Sequence, residues 1–540
     1  MNATGHVDTF VRDRLPPPED WPELLFTVPE VRYPPRLNAA SELLRRGAAA
    51  GGWARPCLGD GERMLTYGEV RERVHRLARV LADDLGLVPG HRVLLRGYNG
   101  PMLAVAWLAV LAAGGIAVTT MPLLRRLELA KIVERAAVDH ALCDVRLLEE
   151  LAACREATGR PAHILTWGDG GLERRMAAVA DDFRPVDTAA DDPAIVAFTS
   201  GTTGQPKGCV HFHRDLLAVC DTYARHVLAP TPEDRFTGTP PLGFTYGLGG
   251  MLLFPLAFGA ASVMAEALPP ERLPAFLETS GATVLFTAPT AYRAMLRDMT
   301  RVPDWRLRLC VSAGETLPAA TFEAWRARTG LTIVDGIGST EMLHIFISAP
   351  PEEARPGVTG RPVPGYVAEV VDDDFRPCPP GVPGRLVVKG PTGCRYLDDP
   401  RQREYVRRGW NVTGDTYVRD AEGRFAYVAR SDDIIVSAGY NIAGPEVEAA
   451  LLTHPAVAEC GVVGAPDPDR GQVVAAYVVL APGHAPSEDL VRALQDHVKR
   501  TIAPYKYPRR IRFLEALPRT QTGKLQRFRL RELARTEAEA

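Results

Sequence analysis

The residues best suited to chemistry form one run, Phe198-Thr199-Ser200-Gly201-Thr202-Thr203-Gly204-Gln205-Pro206-Lys207-Gly208. Glycines let backbone amides point into a concavity, the consecutive hydroxyls add donors, and Lys207 adds positive charge. Together they make an anion nest suited to phosphates. The run is not a Walker A loop, because Gly208 follows Lys207 where Ser or Thr would have to ligand magnesium. A second run, Asp335-Gly336-Ile337-Gly338-Ser339-Thr340-Glu341, sets a hydroxyl beside a carboxylate after an apolar stretch. Thr413-Gly414-Asp415 precedes Tyr427 and Arg430, and Pro518-Arg519-Thr520-Gln521-Thr522-Gly523-Lys524-Leu525-Gln526-Arg527 lies near the end. Only six of the 63 Lys and Arg residues are lysines, so Lys207 and Lys524 stand out against an arginine-rich background. A compact, flexible ammonium and a planar guanidinium are not interchangeable.

These residues need a scaffold, and the pattern supplies one. Residues 71–85 carry Val74, Leu77 and Leu81 at helical spacing. Residues 91–95, 195–198, 283–287, 309–312 and 331–334 read as apolar strands separated by helices. That order argues for α/β architecture with largely parallel sheets, whose ligands sit at the carboxyl ends of strands. Stretches 102–118 and 251–264 read as buried helices, each shorter than the roughly 20 residues that span a bilayer. After Gly365, strands at 367–371 and 385–388 suggest an antiparallel subdomain. The last part reads as strand 434–436, helix 445–452 entered through Gly444-Pro445, strands 457–463 and 473–480, helix 487–499 and strand 510–513. The expected fold is a large N-terminal body of α/β subdomains plus a β-rich subdomain, residues 1–431. A small mobile C-terminal α+β domain, residues 432–540, follows.

Composition narrows the class. The 540 residues carry a net charge of −3 and are 46% hydrophobic, which excludes global disorder and the basic footprint of a nucleic-acid binder. Nine cysteines without a Cys-x-x-Cys pair point to a reducing compartment rather than a disulfide framework or zinc site. The first residues carry no signal pattern. The expectation is a cytoplasmic protein, monomer or homodimer, with no membrane or nucleic-acid partner.

The phosphate-loop run resembles that of the adenylate-forming superfamily, which comprises acyl-CoA synthetases, luciferases and peptide-synthetase adenylation domains. The other runs recur in that family's order over nearly the whole chain. The resemblance implies ATP, Mg²⁺ and coenzyme A as cofactors and co-substrates. It implies that Thr340 contacts phosphate and Glu341 holds magnesium, a hard cation for which one carboxylate suffices beside nucleotide oxygens. Thr199, Ser200, Gly201, Thr202, Thr203, Gly204 and Lys207 would form the phosphate loop. Ser312-Ala313-Gly314-Glu315 matches the adenine-side loop, and Asp335, Gly336, Ile337, Gly338 and Ser339 would also line the nucleotide. The family often has an aromatic where Ile337 stands. Asp415 and Arg430 match the ribose clamp, with Tyr427 near adenine. Lys524 matches the catalytic lysine, Asp432 the hinge of a swinging domain, and Gly439 the wall of the pantetheine tunnel.

Two segments narrow the acid. Phe244-Thr245-Tyr246-Gly247-Leu248-Gly249 and the run ending Met342-Leu343-His344-Ile345-Phe346 resemble the benzoate-CoA ligase branch. By that resemblance Phe244, Thr245, Tyr246, Gly338, His344 and Ile345 surround an aromatic ring. Aromatic and aliphatic walls with one or two polar tips suit a flat, substituted ring. His6-Val7-Asp8-Thr9-Phe10, Leu15-Pro16-Pro17 and Trp21-Pro22-Glu23 resemble the 2-aminobenzoate-CoA ligase subgroup. His211 and His213 are candidates for the substrate or phosphate rim, or surface histidines at a helix entry. The expected activity joins 2-aminobenzoate or a related benzoate to coenzyme A through an aryl-adenylate. The alternative is a stand-alone adenylation enzyme that passes a hydroxylated aminobenzoate or salicylate to a carrier-protein thiol or a partner enzyme.

Overall fold

The computed structural model describes residues 2–199, 206–430, 433–437, 440–467, 470–502, 504–520 and 523–539. Two large sheets make the body. The first has six strands, with His163–Trp167, His140–Asp144, Arg92–Arg96, Ile116–Thr120 and Pro193–Thr199 parallel. Lys207–Phe212 closes it as an antiparallel edge. The second has nine strands, among which Arg235–Gly238, Val284–Thr287, Leu309–Ser312 and Ile333–Gly338 run parallel. One apolar core reaches both sheets, through Leu95, Trp107 and Leu142 on one side and Phe236, Phe286 and Val311 on the other.

Local signals explain the elements between these strands. The helix Tyr67–Asp83 opens on a Thr66/Glu69 capping box and buries Val70, Val74, Leu77 and Leu81 along one face. Proline starts the helix Pro101–Ala112, where its missing N–H costs nothing, and every residue from Leu103 onward is buried. The expected single helix over 102–118 is corrected. Gly114, at φ 74°, turns the chain, and the remaining apolar residues form the strand Ile116–Thr120. The stretch 251–264 divides the same way: Phe254–Phe258 is helical and Ala261–Val263 is a strand, with Gly259 at φ 74° between them.

A third, antiparallel sheet of five strands includes Val367–Val371, Gly384–Lys389, Trp410–Arg419 and Phe425–Arg430. A fourth, also five-stranded, lies between residues 434 and 513 and packs its own apolar cluster around Ile435, Val462, Val478 and Leu494. The result is a large N-terminal α/β body with a β-rich part and a small C-terminal α+β unit. Among the described residues no helix is long and apolar enough to cross a membrane. All nine cysteines are free and buried.

Candidate active site

Four parallel strands of the nine-stranded sheet end together. Their carboxyl ends supply Thr239 and the segment to Tyr246, Thr287, Ser312–Glu315, and Gly338–Glu341. Two placements correct the sequence reading. Asp335, Gly336, Ile337 and Gly338 belong to the strand Ile333–Gly338 itself, because an antiparallel partner, Ile345–Ser348, extends its pairing. Lys207 begins the strand Lys207–Phe212 and pairs with Thr199, so it stands on a strand rather than in a loop. Ser200, Gly201, Thr202, Thr203 and Gly204 lie outside the described residues, as do Asp432 and Gly439. The Thr199 hydroxyl is buried without a hydrogen-bond partner among the described residues.

The turn after Gly338 is built tightly. A Cβ on Gly338 would stand 2.6 Å from the His344 carbonyl oxygen, so only glycine lets the two chain segments approach. Leu343 takes φ 70° and its N–H donates to the Thr340 carbonyl at 3.1 Å, bringing His344 back beside the strand. His344 is buried in an aromatic box. Its ring meets Phe254 edge-on at 4.7 Å, with Tyr223 at 5.3 Å, Tyr246 at 5.8 Å and Phe286 at 6.4 Å. Burial lowers its pKa to about 3, so the imidazole is neutral and contributes shape and one polar edge. Tyr246 donates from its hydroxyl to the carbonyls of Thr287 at 3.1 Å and Val311 at 3.2 Å, which fixes its ring. Thr245 and Ile345 are buried beside it, and Phe244 is half-buried.

Opposite the box stands the charged side. Lys207 donates to the Tyr396 hydroxyl at 2.7 Å, Tyr396 donates to Glu341 Oε1 at 2.5 Å, and Lys207 lies 3.4 Å from that oxygen. Asp415 and Arg430 face each other across paired strands, Nη1 to Oδ1 3.2 Å. Gly414, at φ 76°, leaves the space Arg430 occupies, since a Cβ there would be 2.8 Å from Nη2. Tyr427 packs edge-on against Tyr417 at 5.6 Å. Burial raises the Asp335 carboxyl to about 7, and its Oδ1 has no partner.

Lys524 arrives from the C-terminal unit. Its turn is closed by Thr520 N–H to Lys524 carbonyl at 2.7 Å and by Gly523 at φ 84°. The ammonium stands 5.0 Å from the Phe244 ring centroid. Burial pulls its pKa below the ordinary lysine value, while Glu315, Asp415 and Glu341 pull it back. Arg519 of the same turn reaches within 3.8 Å of Glu315, whose other oxygen accepts from Thr290 at 2.5 Å.

The two remaining histidines are not at a surface or an open rim. Both are fully buried. His211 Nε2 donates to the Thr340 carbonyl at 2.7 Å, beneath the site, and Asp215 with Arg395 lies on its other side. His213 accepts from the Ala39 N–H at 3.1 Å, and burial lowers its pKa to about 3. Two parts of the N-terminal signature pack on the six-stranded sheet: Trp21 lies 5.8 Å from Phe212, and Asp8 pairs with Arg92 of the strand Arg92–Arg96. Tyr396, Tyr405, Tyr223 and Phe286 are site residues that the sequence reading missed.

The family described as AMP-binding enzyme matches residues 44–395, and the AMP-binding enzyme C-terminal domain matches residues 446–524. A benzoate–CoA ligase of Thauera aromatica is 37% identical over 514 residues, covering 94% of this chain and 98% of that protein. The crystal structure of the anthranilate CoA ligase AuaEII with anthranoyl-AMP superposes with TM-score 0.88 at 32% identity, covering 94% of this chain and 99% of that one. A benzoate CoA ligase from Burkholderia xenovorans gives TM-score 0.84 at 36% identity, covering 92% of this chain and 100% of that one.

Proposed function

The chain belongs to the AMP-binding enzyme family, an AMP-forming acid–thiol ligase, and we propose that it joins 2-aminobenzoate or a closely related substituted benzoate to coenzyme A. The observation that carries this reading is the position of the Lys524 ammonium over Phe244, facing an aromatic box closed by neutral His344. Aromatic walls beside a buried ammonium suit a flat ring whose carboxylate points to the cation. A 2-amino group is in keeping with the likeness to the anthranilate enzyme and with the N-terminal signature.

On this reading a carboxylate oxygen of the acid attacks the α-phosphorus of ATP. The bond to the β-phosphate oxygen breaks, and pyrophosphate leaves. The thiol then attacks the aryl carbonyl carbon, the thiol proton is lost to solvent, and AMP departs as the thioester forms. The protein positions reactants and stabilises charge, without a nucleophile of its own. Thr199, Thr340 and Lys207 would face phosphate, and Asp415 with Arg430 would hold the ribose through charge-assisted hydrogen bonds. Ala313, Gly314 and Glu315, with residues 335–339 and Tyr427, would bound the adenine. Lys524 would sit against the carboxylate and α-phosphate, where negative charge builds.

Glu341 suits magnesium. It is a buried carboxylate, and among the described residues no group of three or more metal-binding side chains gathers anywhere. The ion would therefore come with ATP, take one protein oxygen and keep water and phosphate oxygens as its other ligands. Bound there, it would neutralise phosphate charge.

The second half-reaction requires the C-terminal unit to turn. We place the division between residues 431 and 432, with Asp432 as hinge and Gly439 brought to the pantetheine path. A few dihedrals at such a junction suffice for the rotation. The free cysteines support a reducing, cytoplasmic setting. The test is mass detection of the thioester after incubation with ATP, Mg²⁺ and 2-aminobenzoate. Coenzyme A is expected to accept the aryl group and a phosphopantetheinylated carrier protein is not. Transfer to the carrier alone would overturn the acceptor assignment.

A further inference from the structure

Tyr396 belongs to none of the motifs above, yet it stands between two of them. Its segment lies along the strand Lys207–Phe212. The Val210 N–H donates to the Arg395 carbonyl, the Leu397 N–H donates to the Gly208 carbonyl, both at 2.8 Å, and Cys209 faces Tyr396 across the bridge. The Tyr396 N–H is further fixed by Gln402 Oε1 at 2.9 Å. This anchoring delivers a fully buried phenol between Lys207 and Glu341. The ammonium lies 4.7 Å from the phenol ring centroid, and the Tyr405 ring stands edge-on to it at 5.9 Å. The Tyr405 hydroxyl reaches Ser339 Oγ at 3.3 Å.

We propose that Tyr396 is a positioning residue that sets the Lys207–Glu341 pair for Mg·ATP. The inference rests on the reading of those two residues given above. The phenol accepts from the ammonium and donates to Glu341 Oε1, so ammonium and phenol converge on one carboxylate oxygen. An ammonium carries three donors and a carboxylate two oxygens. Committing one oxygen to the phenol restricts the carboxylate, leaves its second oxygen to a ligand, and opposes a direct bidentate Lys207–Glu341 pair. Without the phenol, the lysine would close onto the carboxylate and compete with the incoming ion. Burial and the Glu341 charge hold the phenol protonated, so the donor role persists at neutral pH.

The experiment measures ATP and AMP binding by calorimetry without acid, in Mg²⁺ and in EDTA, for wild type, Tyr396→Phe and Tyr396→Gln. AMP, which lacks the outer phosphates, serves as the internal reference. For Tyr396→Phe the gain in ATP affinity on adding Mg²⁺ is expected to fall about tenfold, the size of a lost charge-assisted hydrogen bond, with AMP affinity unchanged. Tyr396→Gln keeps a donor and an acceptor and is expected to lie between. In steady state the KM for ATP rises while the KM for the acid stays. An unchanged magnesium-dependent gain, or equal loss for AMP and ATP, would overturn the proposal. Glu341→Gln, measured alongside, separates the two levels. If it too leaves the magnesium-dependent gain intact, the assignment of Glu341 fails; if it alone abolishes the gain, only the role of Tyr396 fails.

Discussion

The aromatic box and the charged side of the site meet at one hairpin and obey opposite rules. In the box, Tyr223, Tyr246, Phe254, Phe286 and His344 pack ring on ring, and the imidazole is held neutral by burial. On the charged side, Lys207, Tyr396, Glu341, Asp415, Arg430 and Lys524 bring polar groups of both signs together around the space a nucleotide would fill. Gly338 and His344 face the box, and Thr340 and Glu341 follow Gly338 in the same turn. On the proposed function, one turn would connect recognition of the acid to handling of the phosphates, while the energetics stay separable. Packing governs the box, where a shifted ring changes its shape. Charge placement governs the other side, where a group removed costs rate.

The largest expected effect lies on the charged side. Lys524→Ala should slow aryl-adenylate formation about 10²–10³-fold, in line with loss of one transition-state donor. Thioester formation from supplied aryl-adenylate should be nearly unchanged. Equal loss in both half-reactions, measured by rapid quench, would break the division of labour proposed for the C-terminal unit.

Two substitutions of intermediate size separate the two regions. Asp415→Ala should raise the KM for ATP about tenfold, through loss of a carboxylate acceptor, and leave the KM for the acid in place. Gly249→Ala should do the reverse. A Cβ at residue 249 would lie 2.6 Å from His344 Nε2, so the ring must shift into the box. The expected rise in acid KM is about tenfold, the scale of mild overpacking. If the two variants exchanged effects, the two-region picture would fail.

The smallest effect is on pH dependence. His344 and His213 fall to about 3 and His140 to about 4, all through burial first. Their folded values lie below the unfolded value of 6.5, so the unfolded chain binds more protons in acid. Their stabilising contribution is present above pH 6.5 and is lost as pH falls toward the folded values. Urea unfolding should show about 1–2 kcal/mol of loss per histidine between pH 7.5 and pH 5. Over pH 6–8 the acid KM should show no histidine titration, since His344 stays neutral; an inflection near 6.5 would contradict its placement in the box.

What was legible beforehand follows from distance along the chain. Strands 309–312, 367–371 and 510–513 appear at the expected bounds, because an apolar run between turn residues is a local signal. The motif runs were local too. Tyr396 was not legible, because its partners lie 189 and 55 residues away and meet it only through an added edge pairing. Phe286 and Tyr223 read as ordinary core residues until tertiary packing turns them onto His344. The strand Ile333–Gly338 outran its apolar stretch because pairing with Ile345–Ser348 holds two glycines in extended form. Lys207 moved from loop to strand for the same kind of reason, since Thr199 pairs with it from the far side of the loop.

The central claim is that an aryl carboxylate is activated in the box beneath Lys524. Acid-dependent exchange of pyrophosphate into ATP, run over 2-, 3- and 4-substituted benzoates with acetate and palmitate as controls, tests it most directly. Strong exchange with 2-aminobenzoate and its near relatives, and none with the aliphatic acids, is the expected result. Exchange driven by acetate or palmitate as strongly as by the benzoates would contradict it.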